Sequence, residues 1–578
     1  YFDENDPIGT YNPLYVDAVV SNPPYSQQWS PADKESDARY SRFGLAPRGK
    51  ADYAFLLHDL YHIKPDGIMT IILPHGVLFR GGEEGTIRKN LIENNHIDSI
   101  IGLPSNIFFG TGIPTIIMVL KQKRENTDIL IIDASKGFIK EGKNNKLQAS
   151  DIRRITDTVK YRQDREKYSR KVSREEIRNN DYNLNIPRYV DSSEKAESYD
   201  IYASMFGGIP EKEIDDLEKY WKAFPSLKED LFIQEGKEHF KLKNKDISSL
   251  IKNHQDIKCF KEAYKKAFEG FQEKMEDELI NGMDSSRIPR KKTTLADEIF
   301  TRMEGIELVD SYKAYQILDD EWLKIGQDLE IINTEGKGAI TRVDPNMIIR
   351  RRNGKDTEVQ DGWLGRIIPF DLVQSTILLE ESKEIKDKEE RLSQIVSKQE
   401  EIFDSFSEED KEDISEALNN DNSSFLAGGL NSLSREYLSQ GDLNSYDEES
   451  IEYKVITTKE LSDEEKTLKK EIKDEENKLH MLTKETIEKL GDKEAEELLK
   501  NKWIKPLIDE IFNLPISVVD TLSNKIQAIV DKYDTTFADV EDEIAKTERE
   551  LTNFIDQLTG TETDIKGLEE LKSLLGGV

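Results

Sequence analysis

Short apolar runs rich in β-branched residues alternate with helical stretches over residues 14–135, and this alternation limits the fold more than any other feature. Such runs are typical of strands buried in a sheet. The predicted strands are 16–20, 68–73, 98–102, 114–120 and 129–133, and the predicted helices are 51–63 and 84–94. We expect the turn Lys64-Pro65-Asp66-Gly67 to end the first helix. The alternation predicts a doubly wound α/β sheet with functional loops at the carboxyl ends of its strands.

The first predicted strand runs directly into the tetrapeptide Asn22-Pro23-Pro24-Tyr25. Its two prolines fix the backbone, which aims the Asn22 side-chain oxygen and the Pro23 carbonyl past the strand end. Two acceptors placed in this way can take both hydrogens of one amino group. Tyr25 offers a ring face on which a flipped base can stack. A plain strand-ending turn is the structural alternative, but this tetrapeptide after an apolar strand favours an amino-group methyltransferase.

Several further blocks follow the tetrapeptide in a characteristic order and spacing. They are Lys50-Ala51-Asp52-Tyr53-Ala54-Phe55-Leu56-Leu57, Leu73-Pro74-His75-Gly76-Val77-Leu78-Phe79-Arg80-Gly81-Gly82, Ile101-Gly102-Leu103-Pro104, Phe108-Phe109-Gly110-Thr111-Gly112-Ile113-Pro114-Thr115 and Asn180-Asp181-Tyr182-Asn183-Leu184-Asn185-Ile186-Pro187-Arg188-Tyr189. Together they closely resemble the modification subunit of type I restriction-modification systems, a DNA adenine-N6 methyltransferase. The resemblance is dense over residues 14–190 and thins to scattered blocks up to about residue 374.

The resemblance implies that S-adenosylmethionine is the methyl donor and that Asn22, Pro23, Pro24 and Tyr25 are the catalytic residues. Asn22 is also the one implied cofactor-binding residue, because the family's glycine-rich cofactor turn lies upstream of this motif. Phe108 and Phe109 are candidates for the second wall of the base pocket, although a packing role for one of them is as reasonable.

The residues before Asn22 contain no such glycine turn, and the chain begins at Tyr1. We therefore expect an N-terminally truncated subunit that holds the back half of a Rossmann-like methyltransferase sheet. We also expect the isolated chain to be inactive and to bind S-adenosylmethionine weakly or not at all.

The family's assembly implies four partners: double-stranded DNA, a specificity subunit, a second modification subunit and a nuclease-motor restriction subunit. Two other functions stay open. Protein glutamine methyltransferases use the same motif on an amide, but they are shorter and lack the 183–189 block and the helical tail. The chain by itself is alternatively a non-catalytic assembly module. No Gly-x-x-x-x-Gly-Lys-[Ser/Thr] motif occurs, so the ATP-driven restriction subunit is excluded.

The net charge of −33 is unusual for a DNA enzyme, but it is unevenly distributed. Residues 1–190 hold 27 basic and 25 acidic side chains, so nearly all of the negative charge lies in the rest of the chain. A basic stretch at 146–178 supplies candidates for DNA-phosphate contacts. These candidates are Arg153, Arg154, Arg162 and Arg165. A solvated helical face is an equally good interpretation of this stretch.

Beyond residue 195 the pattern becomes helical. We predict four domains: the methyltransferase half at 1–150, a basic segment completing it at 151–195, a mainly helical domain at 196–375 and a coiled-coil assembly arm at 376–578. The Asn353-Gly354 pair predicts a hairpin in the third of these domains. Heptad-like seams run from Leu378 to Ile402, from Leu461 to Leu482 and, most clearly, from Ile526 to Leu558. These seams are expected to pack on each other or on helices of a partner.

The remaining composition excludes several classes of site. Cys259 is the single cysteine, so no disulfide framework or cysteine-based metal site is expected, and neither is any other metal site. No apolar stretch is long enough to span a membrane, and the absence of disulfides predicts a cytoplasmic location.

Overall fold

The structure is a computed structural model of the 578-residue chain. It describes residues 13–109, 112–193, 197–284, 287–352, 355–419, 421 and 423–574. Its strands, numbered in chain order, are β1 Val16–Ser21, β2 Ile63–Pro74, β3 Ile97–Gly102, β4 Thr115–Lys121, β5 Ile129–Asp133, β6 Ile139–Glu141, β7 Asn144–Lys146, β8 Ser169–Val172, β9 Ile209–Pro210, β10 Phe232–Gln234, β11 His239–Leu242, β12 Val343–Arg352 and β13 Lys355–Gly365.

Helices fill the space between the strands and dominate the second half of the chain. The first ten are α1 Asp52–Tyr61, α2 Gly82–Glu93, α3 Ala149–Tyr161, α4 Arg174–Asn179, α5 Ile201–Phe206, α6 Glu211–Asp215, α7 Glu218–Ala223, α8 Leu227–Leu231, α9 Ile247–Asn253 and α10 Gln255–Ala267. The remaining twelve are α11 Phe271–Glu276, α12 Ile288–Arg302, α13 Ser311–Glu335, α14 Phe370–Thr376, α15 Leu379–Asp404, α16 Glu408–Asp413, α17 Ala427–Gln440, α18 Ile451–Lys489, α19 Asp492–Trp503, α20 Lys505–Lys532, α21 Phe537–Asp556 and α22 Glu562–Leu574.

Six strands form one mixed sheet in the order β1-β2-β4-β3-β5-β8. The pairs β1–β2 and β3–β5 are parallel, whereas β4 is antiparallel to both β2 and β3. The carboxyl ends of β1, β2, β3 and β5 therefore lie along one edge, which we call the carboxyl edge. The opposite side, where these four strands begin, is the amino edge. The central strands are almost fully buried, and β3 and β5 are buried along their whole length because helices and loops cover both faces.

The predicted α/β sheet, with a mainly helical region after it, is confirmed. All five predicted strands and both predicted helices form within a few residues of their expected bounds. One local prediction is wrong, since residues 64–67 do not end the first helix. The helix α1 ends at Tyr61, and residues 64–67 lie inside strand β2, which begins at Ile63. Val16 pairs with Ile63 and Ala18 pairs with Ile68, so the 64–67 segment bulges out of β2 between these two pairs.

The chain divides into two compact units, and the first is built from distant segments. Unit 1 comprises residues 1–268, 296–320 and 511–578, and unit 2 comprises residues 269–295 and 321–510. Besides the sheet, unit 1 has a second apolar core in which helices from the 209–257 region pack against α20. The side chains that α20 contributes to this core are Val519, Leu522 and Ile526. The four domain boundaries expected from the sequence stay predictions.

In unit 2, the two seams expected around 378–402 and 461–482 pack on each other. Helix α15 lies along α18, and the buried side chains on α15 include Ile385, Ile395 and Ile402. Lys388 pairs with Glu471 and Glu475, whereas Arg391 pairs with Glu464. Because the partner numbers fall as the α15 numbers rise, the two helices are antiparallel.

The third seam is not the continuous coiled-coil helix that its spacing predicts. Helix α20 ends at Lys532, and a capping box formed by Thr536 and Asp539 starts α21 as a separate helix. The break also separates two environments. Ile526 is 1% exposed in the second core, whereas Ile544 on α21 is 53% exposed. The same spacing of apolar residues therefore belongs to two kinds of helix. In α20 these residues lie in a core, whereas in α21 they form an exposed apolar stripe.

Two further features complete the fold. Strands β12 and β13 pair as an antiparallel hairpin, and the predicted Asn353-Gly354 turn lies outside the described residues. Across the described ranges, no helix combines the length and the apolar character that crossing a bilayer requires.

The split seam gives a test on two isoleucines that the sequence does not distinguish. Ile526→Glu should lower the free energy of unfolding by about 2–4 kcal/mol, because it places a carboxylate in an apolar core. Ile544→Glu should change it by less than about 0.5 kcal/mol, because the side chain is already half in water. Denaturant unfolding of both variants measures the difference, and equal destabilisation would mean that the seam is one buried helix.

Candidate active site at the carboxyl edge of the sheet

The Asn22-Pro23-Pro24-Tyr25 segment leaves β1 at the carboxyl edge, beside the end of β2. Strand β1 is the outermost strand of the sheet in the described residues, and its Val20 side chain is 88% exposed. The Asn22 side chain is exposed, and the Tyr25 hydroxyl donates a hydrogen bond to its Oδ1 at 3.1 Å. Burial raises the pKa of Tyr25, so this hydroxyl stays protonated as a donor at neutral pH.

A buried carboxylate holds the end of this segment. The Asp52 side chain, 1% exposed at the start of α1, accepts a hydrogen bond from the backbone N–H of Ser26 at 2.7 Å. Ser26 has a positive φ of 51°, which is costly for a residue other than glycine. The bond to Asp52 offsets part of that cost, so Asp52 fixes the direction in which the chain leaves Tyr25.

Backbone bonds extend this attachment over the next residues. The N–H of Ala51 donates to the carbonyl of Gln27 at 2.8 Å, and the N–H of Trp29 donates to the carbonyl of Arg48 at 3.1 Å. The Trp29 indole N–H donates to the carbonyl of Pro47 at 3.0 Å. Gln27 and Trp29 are therefore bound to the segment that precedes α1.

Asp52 also connects the segment to the loop that follows β2. Arg80 Nη1 lies 3.5 Å from Asp52 Oδ2 and 3.4 Å from Glu84 Oε1. Burial raises the pKa of Glu84, and the nearby Arg80 guanidinium opposes this shift. A single arginine thus links the exits of the two neighbouring strands β1 and β2.

The Asn183–Tyr189 block is held against the same edge by the buried side chain of Arg88. Its Nε donates to the carbonyl of Tyr182 at 2.7 Å, and its Nη1 donates to the carbonyls of Val77 and Arg80 at 3.0 and 2.9 Å. The N–H of Leu184 donates to the carbonyl of Leu78 at 2.9 Å. Three segments far apart in sequence therefore meet beside the end of β2.

The two base-pocket candidates occupy different environments on the loop between β3 and β4. Phe108 is half-buried and packs on the core beneath the sheet, whereas the Phe109 ring is 92% exposed. Phe79, which follows β2 and is 45% exposed, is a third aromatic side chain at this edge. The assignment of Phe108 and Phe109 to a base pocket stays a prediction.

The four arginines proposed for DNA contact all have partners within unit 1. Arg153 pairs with Asp157 and Asp297, and Arg154 pairs with Asp310. The other two arginines are held by a second set of side chains: Arg162 pairs with Asp98 and Asp128, while Arg165 donates to Gln163 and Tyr312. The partners of Arg162 lie where β3 and β5 begin, so this arginine is at the amino edge. The DNA-contact prediction is untested, and these contacts give it no support.

Sequence reasoning missed Asp52, Arg80 and Arg88 as residues that position the site. Asp52 and Arg80 stand in blocks that carry the family resemblance, but nothing in their local pattern separates a positioning residue from a packing one. Among the described residues, no group of three or more histidine, cysteine or acidic side chains is placed to hold a metal ion.

The part of the chain that carries this geometry is similar to a known protein family. Residues 5–198, which contain the whole site, match the family model described as N-6 DNA Methylase. This match covers the sheet and the 183–189 block but only about a third of the chain.

The individual relatives are methylase or methyltransferase subunits of type I systems. The chain is 42% identical over 191 residues to the type I restriction enzyme MpnII methylase subunit of Mycoplasma pneumoniae, covering 32% of this chain and 35% of that protein. It is 36% identical over 220 residues to the MjaVII methylase subunit of Methanocaldococcus jannaschii, covering 35% and 38%. A crystal structure of the type I restriction-modification methyltransferase subunit from Streptococcus thermophilus is 52% identical, with a TM-score of 0.32, and covers 33% of this chain and 41% of that one.

These comparisons confirm the resemblance inferred from the motifs. Both curated relatives are methylase subunits of type I restriction enzymes, and the chain spans little more than a third of the length of either the MpnII or the MjaVII subunit. The similarity lies in the part of the chain that carries the candidate site.

The role of Asp52 can be tested without reference to activity. Asp52→Ala removes the acceptor of the Ser26 N–H, so amide hydrogen exchange across residues 22–29 should become faster by about tenfold or more. Asp52→Asn keeps one acceptor oxygen and should show an intermediate rate. Hydrogen-exchange mass spectrometry on peptides covering this segment makes the measurement.

A matched control is Asp98→Ala. The Asp98 carboxylate is also buried and ion-paired, to Arg124 and Arg162, but at the amino edge. Its loss should destabilise the sheet without changing exchange at 22–29. If the two alanine variants accelerated exchange there equally, Asp52 would have no specific hold on the segment.

Proposed function

We propose that this protein methylates the N6 amino group of adenine in DNA, with S-adenosylmethionine as donor, as the modification subunit of a type I restriction-modification complex. One observation carries the proposal: the Asn22-Pro23-Pro24-Tyr25 segment leaves an edge strand at the carboxyl edge and is held there by a buried carboxylate. The match of the surrounding residues to the N-6 DNA Methylase family supports it.

The proposed chemistry depends on two acceptors. The Asn22 Oδ1 and the Pro23 carbonyl accept the two hydrogens of the adenine amino group, which draws the nitrogen lone pair away from the ring. Asn22 and Pro23 would thereby present this nitrogen to the methyl group that the bound donor supplies. The N6 proton becomes acidic once the methyl group is attached, so it passes to solvent without a strong base.

The Tyr25 hydroxyl has a place in this scheme. It already donates to Asn22 Oδ1, but an amide oxygen has a second lone pair that can accept a hydrogen from the substrate. The hydroxyl thus keeps the Asn22 amide in a fixed orientation before the base enters. Because the acceptors are already oriented, they stabilise the transition state with little cost in reorganisation free energy. Such preorganisation raises the turnover rate.

One described residue is assigned to the methyl donor. S-adenosylmethionine supplies an electrophilic methyl group when bound, and we assign Asn22 to face it. We assign no further contact to the donor.

Access to the N6 atom requires that adenine leaves the duplex. We propose that the flipped base stacks on Tyr25, with Phe108 or Phe109 as the opposite wall. Both phenylalanines lie on a loop at the same edge of the sheet as Tyr25, and the ring of Phe109 is exposed to solvent, where a base can contact it.

The chemistry can be tested in the assembled native enzyme. Asn22→Ala should lower kcat for methylation by about 10²-fold or more, because one of the two acceptors is lost mainly from the transition state. Tyr25→Ala should weaken retention of the flipped base by about 1–3 kcal/mol, whereas Tyr25→Phe keeps the ring and should be mild.

Methyl transfer from labelled donor to an adenine-containing duplex measures these effects. DNA affinity and subunit assembly serve as controls that the variants have folded. Wild-type turnover by Asn22→Ala would be incompatible with the proposed mechanism.

The exposed stripe on α21 supports a protein partner. Phe537, Val540, Ile544, Leu551 and Phe554 are each 40–66% exposed along this helix. A row of this length is more apolar surface than a solvated helix ordinarily presents. We propose that helices of the specificity subunit cover it, and that a second modification subunit and the nuclease-motor subunit join the same complex.

Charge placed on the stripe should weaken that assembly. Val540→Glu with Ile544→Glu adds two negative charges to the stripe and should reduce co-purification with the specificity subunit. Lys546→Glu changes the net charge by the same amount off the stripe, at a side chain 77% exposed, and should have no effect. Deleting residues 520–578 is not an equivalent test, because it would also remove Leu522 and Ile526 from the core of unit 1. Undiminished complex formation by the double variant would place the partner surface elsewhere.

A further inference from the structure

A small hairpin at the carboxyl edge carries a cluster of lysines. Strands β6 and β7 form it, and residues 136–146, which contain both strands and their turn, hold four lysines and one glutamate. The lysines are Lys136, Lys140, Lys143 and Lys146, and all four are exposed. We call residues 136–146 the lysine hairpin.

The topology places the lysine hairpin on the side of the sheet where Asn22 emerges. It follows β5, which is parallel to β3 and ends at the carboxyl edge. The N–H of Asn145 donates to the carbonyl of Asn106 at 2.9 Å, and its side-chain amide donates to the carbonyl of Ser105 at 2.7 Å. The hairpin is thus attached to the same β3–β4 loop that carries Phe108 and Phe109.

The strand register shows which lysine faces that loop. Lys140 lies directly opposite Asn145, and residues paired across two strands project from the same face. Since Asn145 reaches towards Ser105, Lys140 is on the face next to the loop. Lys143 follows the turn residue Gly142, whose φ is +63°, at the tip of the hairpin.

Most of these charges lack an acidic partner in the part of the chain that the structure describes. Lys146 pairs with Glu141 at 3.0 Å, but Lys136, Lys140 and Lys143 form no ion pair with any described residue. The four arginines of the 153–165 stretch, in contrast, are each bound by side chains of unit 1. The chain has a net charge of −33. The unpaired lysines therefore create a local positive potential at the carboxyl edge of an otherwise negative molecule.

We infer that Lys140 and Lys143 of the lysine hairpin bind backbone phosphates of the DNA strand that flanks the flipped base. The inference rests on the proposed function, because it takes the nucleic acid at Asn22 to be the ligand. Lysine is suited to such contacts, since its ammonium is a point charge on a flexible stem and phosphates carry no sequence information. The hairpin would position the strand, and recognition of the target sequence would lie with another subunit.

The test compares two charge-matched pairs in the assembled native enzyme. Lys140→Gln with Lys143→Gln removes the proposed contacts. Lys123→Gln with Lys160→Gln removes two equally exposed lysines towards the amino edge, where β4 ends and α3 approaches the start of β3 and β5. Binding of a target duplex is measured over a range of salt concentrations, and methyl transfer is measured over a range of DNA concentrations.

Each phosphate contact adds about 0.9 to the slope of log affinity against log salt concentration. The hairpin variant should therefore lose about 1–2 from this slope, with its affinity closest to wild type at high salt. Its KM for DNA should rise at unchanged kcat, because phosphate contacts are made equally in the ground and transition states. Lys140→Arg with Lys143→Arg should restore the wild-type slope, and the amino-edge pair should retain it.

A wild-type slope for the hairpin variant, or an equal loss for the amino-edge pair, would overturn the inference. Neither outcome affects the proposed function as long as the wild-type enzyme methylates adenine. Conversely, a wild-type enzyme that binds DNA through these lysines but transfers no methyl group would refute the function and leave the hairpin contact standing.

Discussion

The hydrogen bond from the Ser26 N–H to the buried Asp52 carboxylate is the contact on which the rest of the site depends. Two prolines stiffen the segment before it, but stiffness alone does not give a direction relative to the sheet. The bond joins the end of the segment to the first turn of α1, and Arg80 joins Asp52 in turn to the loop after β2. The positions of Asn22 and Tyr25 are therefore set by the parallel pairing of β1 and β2 and by one charged group that is shielded from water.

Much of the sheet was predictable because each strand carries its own signal. Runs such as 98–102 and 129–133 favour a strand over a helix because they are short and contain adjacent isoleucines. The start of β2 was not predictable, because Lys64-Pro65-Asp66-Gly67 has the residues of a turn but forms a bulge inside the strand, between the pairs Val16–Ile63 and Ala18–Ile68. No local pattern shows that Ile63, before this segment, already pairs with β1.

The candidate site was predictable in part. The resemblance located Asn22 to Tyr25 directly, since two consecutive prolines are a local feature. The partners of Arg162, Asp98 and Asp128, precede it by 64 and 34 residues, and no sequence spacing indicates those pairs. Composition alone therefore favoured the arginines from Arg153 to Arg165 as a DNA-binding surface. In the structure, three lysines of the lysine hairpin have no acidic partner among the described residues. Similarly, the apolar spacing continues without a break through Tyr533, so it gives no sign of the helix cap at Thr536. This cap separates a buried helix from a helix with an exposed apolar stripe.

The second core of unit 1 has a consequence for biosynthesis. Its first side chains lie in the 209–257 region, but Val519, Leu522 and Ile526 complete it only after the whole of unit 2 has been translated. At ordinary elongation rates this interval is on the order of tens of seconds. During that time the nascent chain presents an unfinished apolar surface to water or to a chaperone. The order of the segments along the gene thus means that this core closes only when residues 519–526 have been made, long after its first residues.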